Sequence, residues 1–178
     1  MKKRILPILL AVSPYIYVFI VCSVFARNLP LTTTSLKQIL LSYFIMVLIV
    51  YLPNCVFAFL SPNAGVQLTQ LAFWNMVIKL FHIPFYIVVF VFGGLLTVAL
   101  FLFGGPILAL ILAIMDFLLM LTSSTFGFST LKQARKHNLL DSRAVGTYTI
   151  CHFIFCADAI SAVMLYKKVK AAILKPTH

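Results

Sequence analysis

"IPFYIVVFVFGGLLTVALFLFGGPILALILAIMDFLLMLT", residues 83–122, is forty residues long and carries one charge, Asp116. A bilayer core about 30 Å thick is crossed by about 20 apolar helical residues, so forty are too many for a single crossing. "FGGP" at 103–106 offers the break, since glycine lets the backbone turn and proline resists helix continuation. The stretch therefore reads as two crossings, about 83–103 and about 107–128, joined by a tight turn. A single bent crossing is the alternative, and it lowers the number of spans from five to four.

Toward the amino terminus, "MKKR" precedes an apolar run over residues 5–26 that reads as a first crossing, with a kink expected at Pro14. "SVFA" at 23–26 imitates a signal-peptide cleavage site, but the run is too long for one, and a retained span is expected. "RNLPLTTTS" at 27–35 is a polar connection whose Ser35 can cap the helix that follows. The second crossing, about 36–60, contains "YLPNC" at 51–55. There Pro53 opens helix hydrogen bonds beside Asn54, whose amide either heals its own turn or meets a ligand.

"SPNAG" at 61–65 signals a turn. Residues 66–82 put Asn75, Lys79 and His82 on one stripe and hold the chain's sole tryptophan, Trp74. That pattern predicts an amphipathic helix at the membrane interface, or the wet first turns of the next span. Beyond 128, "STLKQARKHNLLDSR" at 129–143 is the longest hydrophilic stretch, a fifth crossing is expected over about 144–166, and a basic tail follows. The expected fold is all-α: a single polytopic helical bundle over residues 1–178, with about five transmembrane helices, four possible, and one interfacial helix.

Composition agrees. The 178 residues are 63% hydrophobic and 10% charged, against about 45–50% apolar and 25% charged in soluble domains. The formal charge of +11 comes from 14 Lys and Arg at the ends of apolar runs rather than along an aromatic-rich arm. Topology and anionic lipid headgroups explain that placement, and nucleic acid does not. Either span count divides the basic residues eight to six, so charge does not choose between them. The basic start, next to the first helix, argues for a cytoplasmic amino terminus, and the Phe-, Ile-, Leu- and Lys-rich style suggests a bacterial plasma membrane.

Cys22, Cys55, Cys151 and Cys156 all fall inside expected spans and include no C-x-x-C pair, so they read as small buried hydrophobes. The sequence has no nucleophile triad pattern, glycine-rich phosphate loop or H-E-x-x-H element. No enzymatic activity, metal or cofactor is expected.

Two acids interrupt the apolar runs: Asp116 in "LAIMDFLLM" and Asp158 in "FCADAIS". An ionised aspartate at the centre of a membrane helix costs about 2.5 to 3.5 kcal/mol on insertion scales, so such residues face a bundle interior or a watery cavity. If the last two crossings form an antiparallel hairpin, the two acids stand at nearly equal depth. Ala109, Ala113, Asp116, Met120 and Ser123 then form one small or polar stripe, Thr147, Cys151, Ile154, Asp158 and Ser161 another, and Gly93 and Thr97 a third packing wall. Adjacent carboxylates cannot both stay charged cheaply, so the pair would share a proton or attract a cation.

The candidate site is therefore Asp116 and Asp158 with Ser123, Ser161 and Asn54, suiting a small proton- or cation-coupled transporter or channel-like protein. In the bland alternative the acids bond to Ser123, Ser161, Lys79 or His152 and only fix helix packing. The protein is then a non-enzymatic interaction protein, such as a subunit, an immunity protein or a regulatory protein, with a membrane protein or a second copy of itself as partner. His152 shares a helix face with Cys156, well over 100° around the helix from Asp158 at about 100° per residue, so it reads as a helix contact apart from the acid.

Overall fold

The computed structural model describes residues 2–27, 33–60, 67–99, 105–152 and 154–174. Its elements are α1 (Lys2–Arg27), α2 (Thr33–Met46), a π-helical turn (Val47–Tyr51), α3 (Leu52–Leu60), α4 (Leu68–Ala99), α5 (Gly105–Lys136), α6 (Ser142–Cys151) and α7 (Phe155–Leu174). No strand occurs among the described residues. Four segments are long and apolar enough to cross a membrane: Ile5–Val24, Lys37–Leu60, Leu68–Leu95 and Leu110–Lys136. Large apolar side chains such as Phe19, Phe44, Ile49, Phe90 and Ile114 stand exposed around them, as on a surface whose solvent is lipid.

Prolines shape these helices without ending them. Pro14 lacks the N–H that would bond the Leu10 carbonyl, yet α1 runs on. The freed carbonyl accepts from Ser13 Oγ at 2.8 Å and from His82 Nε2 of α4 at 3.1 Å, so the gap in one helix becomes a docking point for another. Near Pro53 the helix widens into the π turn, where Leu52 N–H reaches the Val47 carbonyl. Asn54 Nδ2 donates to the Val50 carbonyl at 2.8 Å; the amide heals its own turn.

Side-chain contacts fix the directions of the helices. Leu10 meets His82, and the Tyr15 hydroxyl donates to the Phe81 carbonyl. A shared cleft sets Pro14 and Val21 beside Phe85 and Phe92, so α1 and α4 run parallel. The Tyr43 hydroxyl donates to the Met115 carbonyl and Phe57 stacks near Phe126, so α2 and α3 run parallel to α5. Leu68 and Ala72 share a core with Leu131 and Ala134, while Phe85 and Phe92 share the cleft with Leu119 and Leu112. Hence α4 and α5 are antiparallel.

After α5 the chain turns back. Asn138 takes a left-handed conformation (φ 56°), and Leu139 N–H and Asn138 N–H bond the carbonyls of Ala134 and Arg135 at 2.9 and 3.0 Å, closing α5 in a Schellman motif. Asp141 then caps α6 through the Ala144 N–H at 3.3 Å. α6 descends beside α5 until His152 seats against Gly127. α7 climbs back beside α4, from Asp158 at Lys79 to Tyr166 at Phe73.

Three sequence expectations change accordingly. The interfacial helix over 66–82 and the span over 83–103 are one helix, α4, because the Asn75, Lys79 and His82 stripe faces protein rather than water: all three side chains are buried. They are the first turns of the span. The fifth crossing over 144–166 is replaced by a helical hairpin, α6 and α7, whose two outer ends lie at the same end of the bundle. The fourth span extends to Lys136 rather than 128. α4 ends at Ala99 and α5 begins at Gly105; the glycine and proline at 105 and 106 open α5, and the first half of the expected "FGGP" turn lies outside the described residues.

Two hydrophobic cores result. Leu10, Val50, Tyr51, Ala58, Ile78, Tyr86, Leu119 and Phe126 fill the body of the bundle. Leu68, Ala72, Leu131, Ala134, Leu140, Leu165 and Val169 fill a smaller cap formed by the hairpin and the outer turns of α4 and α5.

Candidate functional site

Between the two cores sits a cluster of ionisable groups. Lys79 comes from α4, Asp158 from the first turn of α7, and His152 from the break that separates α6 from α7. Their exposures are 1%, 3% and 0%, so water does not hydrate the charges and they must satisfy one another. The Lys79 ammonium donates to Asp158 Oδ1. His152 Nδ1 lies 2.7 Å from the same oxygen and 2.8 Å from Lys79 Nζ. Ser161 Oγ lies 3.3 Å from His152 Nδ1 and donates to the Asp158 carbonyl at 2.8 Å.

His152 Nδ1 thus faces an acceptor, Asp158 Oδ1, and a donor, Lys79 Nζ, at once. Its other nitrogen, Nε2, lies against Gly127 with no partner among the described residues. Burial pushes the imidazolium below its ordinary range, and the Asp158 hydrogen bond opposes that only in part. The α7 amino terminus favours the negative charge on Asp158. Gly127 makes room for the ring, since a Cβ there would stand 2.9 Å from His152 Cε1.

A seam of buried polar groups passes through the cluster along α4 and α5. α5 contributes Ser123, Ser124, Thr125, Ser129 and Thr130, all buried. Most of these hydroxyls bond carbonyls of their own helix, as Ser123 does to Met120 at 2.9 Å and Thr130 to Phe126 at 2.7 Å. Ser124 Oγ instead reaches the His152 carbonyl at 3.4 Å and so ties the hairpin tip to α5. The Asn75 amide, His82 Nδ1, Ser129 Oγ and Gln133 Nε2 are buried with no partner among the described residues. The seam therefore holds unused bonding capacity, which ordered water usually fills.

Asp116 does not join Asp158. The antiparallel register of α4 and α5 places it near the height of Tyr86, seven residues and about 10 Å along the axis from Lys79 at 1.5 Å per residue. Its Oδ1 has no partner. The equal-depth expectation failed because it required 144–166 to be a full crossing; with the helix broken at His152, Asp158 lies at the hairpin tip.

The packing stripes fare differently. Ser161 joins the cluster, whereas Ser123 bonds within its own helix. Asn54 is buried but serves its own turn. Ala113 is exposed, so the small stripe does not face protein there. Thr147 and Ile154 are exposed as well. A Cβ at Gly93 would meet nothing within 4 Å among the described residues, so no close packing wall is seen there. The side chains of Ala109 and Thr97 lie outside the described residues.

Lys79 and His152 were legible only as alternative partners for an acid. The signal that singles out Lys79 is scarcity: it is the lone cation of the apolar run from 66 to 122, and a buried carboxylate needs one. Nothing in the periodicity placed His152, because periodicity assumes an unbroken helix.

A separate cleft of about 340 Å³ opens between α1, α2, α4 and α5, lined by Tyr17, Tyr43, Tyr51, Phe85, Met115 and Leu119 among others. Its lining is apolar and does not include the ionisable cluster.

The fold and cluster define an all-α helical bundle with four helices able to cross a membrane and a buried Lys–Asp–His centre under a helical hairpin. The chain belongs to a family of unknown function, DUF6652, whose model matches residues 3–171. No curated protein and no solved structure matches it.

Proposed function

We propose that this is a small, non-enzymatic integral membrane protein of the transporter or channel type, coupled to protons rather than to metal cations, with Lys79, Asp158 and His152 as the centre through which the coupling acts. The observation that carries this reading is the single oxygen of Asp158 shared by Lys79 and His152 out of reach of water. An ammonium already occupies the cation's place at the carboxylate, which disfavours a second cation. A proton differs: protonating Asp158 cancels the attraction to Lys79 and frees the hairpin tip. The unpaired groups of the α4–α5 seam support a hydrated path along the helices that stops at the sealed cluster. Lys79 stands inside a membrane-crossing segment, where an ionisable residue is costly to place and faces the bundle interior or a cavity.

The test is proton flux in vesicles containing the purified full chain and a trapped pH-sensitive dye, under an imposed pH gradient. Wild type should dissipate the gradient faster than equally well-folded Asp158→Asn protein. Equal rates for both proteins and for empty vesicles refute the proposal.

A second reading is favoured by the sealing of the cluster and its separation from the cleft. In it the three residues are a lock holding the hairpin on the bundle, and the protein acts by binding a partner or a second copy of itself. Asp158→Asn would then loosen the hairpin while leaving proton flux at the empty-vesicle level throughout.

A further inference from the structure

The hairpin topology redistributes charge in a way no five-span arrangement does. α1 starts, α5 ends, α6 starts and α7 ends at one end of the bundle, because α1 parallels α4 while α6 and α7 make a closed excursion. Apart from buried Lys79, Arg27 and Lys37 are the only Lys or Arg among the described residues that do not belong to that end. Lys132, Arg135 and Lys136 on α5, Arg143 on α6, and Lys167 and Lys168 on α7 are exposed there. The one exposed acid among them is Asp141, already engaged as the α6 cap.

Aromatic rings mark the depth of this rim. Phe73 contacts both Trp74 and Tyr166, and Lys170 reaches over the Tyr166 ring at 5.9 Å from its centroid. Tryptophan and tyrosine collect where hydrocarbon gives way to headgroups. A basic rim just outside an aromatic belt stands at phosphate height, and its charge complements that phosphate.

The geometry points to the rim as a binding surface for anionic phospholipid headgroups, on the leaflet shared by the start of α1 and the end of α7, and the excess of Lys and Arg makes that leaflet the cytoplasmic one. This inference is independent of what the buried cluster does.

The measurement is native mass spectrometry of the detergent-purified full chain with phosphatidylglycerol and phosphatidylcholine of matched acyl chains. Phosphatidylglycerol should be retained several-fold in preference. Neutralising Lys132, Arg135 and Lys136 to Gln should remove most of that preference, as should Lys167→Gln with Lys168→Gln, a pair on a different helix that guards against misfolding of either variant. Arg27→Gln with Lys37→Gln should leave it intact. Equal retention of both lipids, equal losses from both ends of the bundle, or displacement by millimolar inorganic phosphate overturns the assignment. So does an active periplasmic reporter fused after residue 178; an active cytoplasmic reporter is the result expected.

Discussion

The body of the bundle and its cap are held by different physics. The body exposes Ile, Leu, Phe and Val around its circumference, so its helices gain nothing from hiding them and associate through tyrosine contacts, a few side-chain bonds to carbonyls and close packing. The Tyr17, Tyr43 and Tyr51 rings meet edge to face at 5.3 and 6.2 Å. The cap has a small aliphatic core of ordinary kind, and it is fastened at its deep end by ions. A buried ion pair adds little net stability but is costly to break from one side. The difference teaches that the cap's position, not its existence, depends on Lys79 and Asp158.

The sharpest way to break this contrast is to remove one partner. Lys79→Met should destabilise docking of the hairpin by about 3 to 5 kcal/mol, because Asp158 is left buried without its cation. Lys79→Met combined with Asp158→Leu should recover much of the loss. Thermal unfolding in detergent, read as a double-mutant cycle, measures both; purely additive losses would contradict the pairing.

Gly127→Ala should cost about 1 to 3 kcal/mol through overpacking against the His152 ring. The same change at Gly93, where the added methyl meets none of the described residues, should leave stability level or slightly raised. If both glycines respond alike in the same unfolding assay, the seating of His152 is misplaced.

Acidification sharpens the comparison further. His152 lies outside the four membrane-crossing segments, and its folded-state pKa is lowered by burial. The unfolded state, with a pKa near about 6.5, then binds more protons than the folded one as pH falls below that value. Hairpin docking should weaken across this window and be fully present above it. Proteolysis at the 137–141 turn as a function of pH follows the change, and His152→Gln should flatten the profile.

The smallest effect belongs to Asp116→Asn. Its Oδ1 has no partner to lose among the described residues, so the change should shift stability by less than about 1 kcal/mol. A loss as large as that of Lys79→Met would mean that Asp116 carries a charge pair of its own.

The apolar runs announced the helices, since length and hydropathy are properties of a segment and need no neighbours. Thus 5–26, 36–60 and the start of α5 were legible, as was the return of the chain within 129–143; the turn expected at 61–65 lies outside the described residues, and Asn54 was legible only as a choice between healing its own turn and meeting a ligand. The polar stripe of Asn75, Lys79 and His82 was visible too, but a stripe says only that a face differs, not whether water or protein covers it.

Sequence by itself determined an all-helical chain built from lipid-soluble segments, with two acids where acids are expensive. Tertiary structure decided that α4 is unbroken, that 144–166 folds back instead of crossing, and that Asp158 takes Lys79 and His152 rather than Asp116 as its company. The reason is physical: helix formation is set by bonds four residues apart, whereas the depth and partner of a charge depend on where remote segments come to rest. A single helix break at His152 changed both.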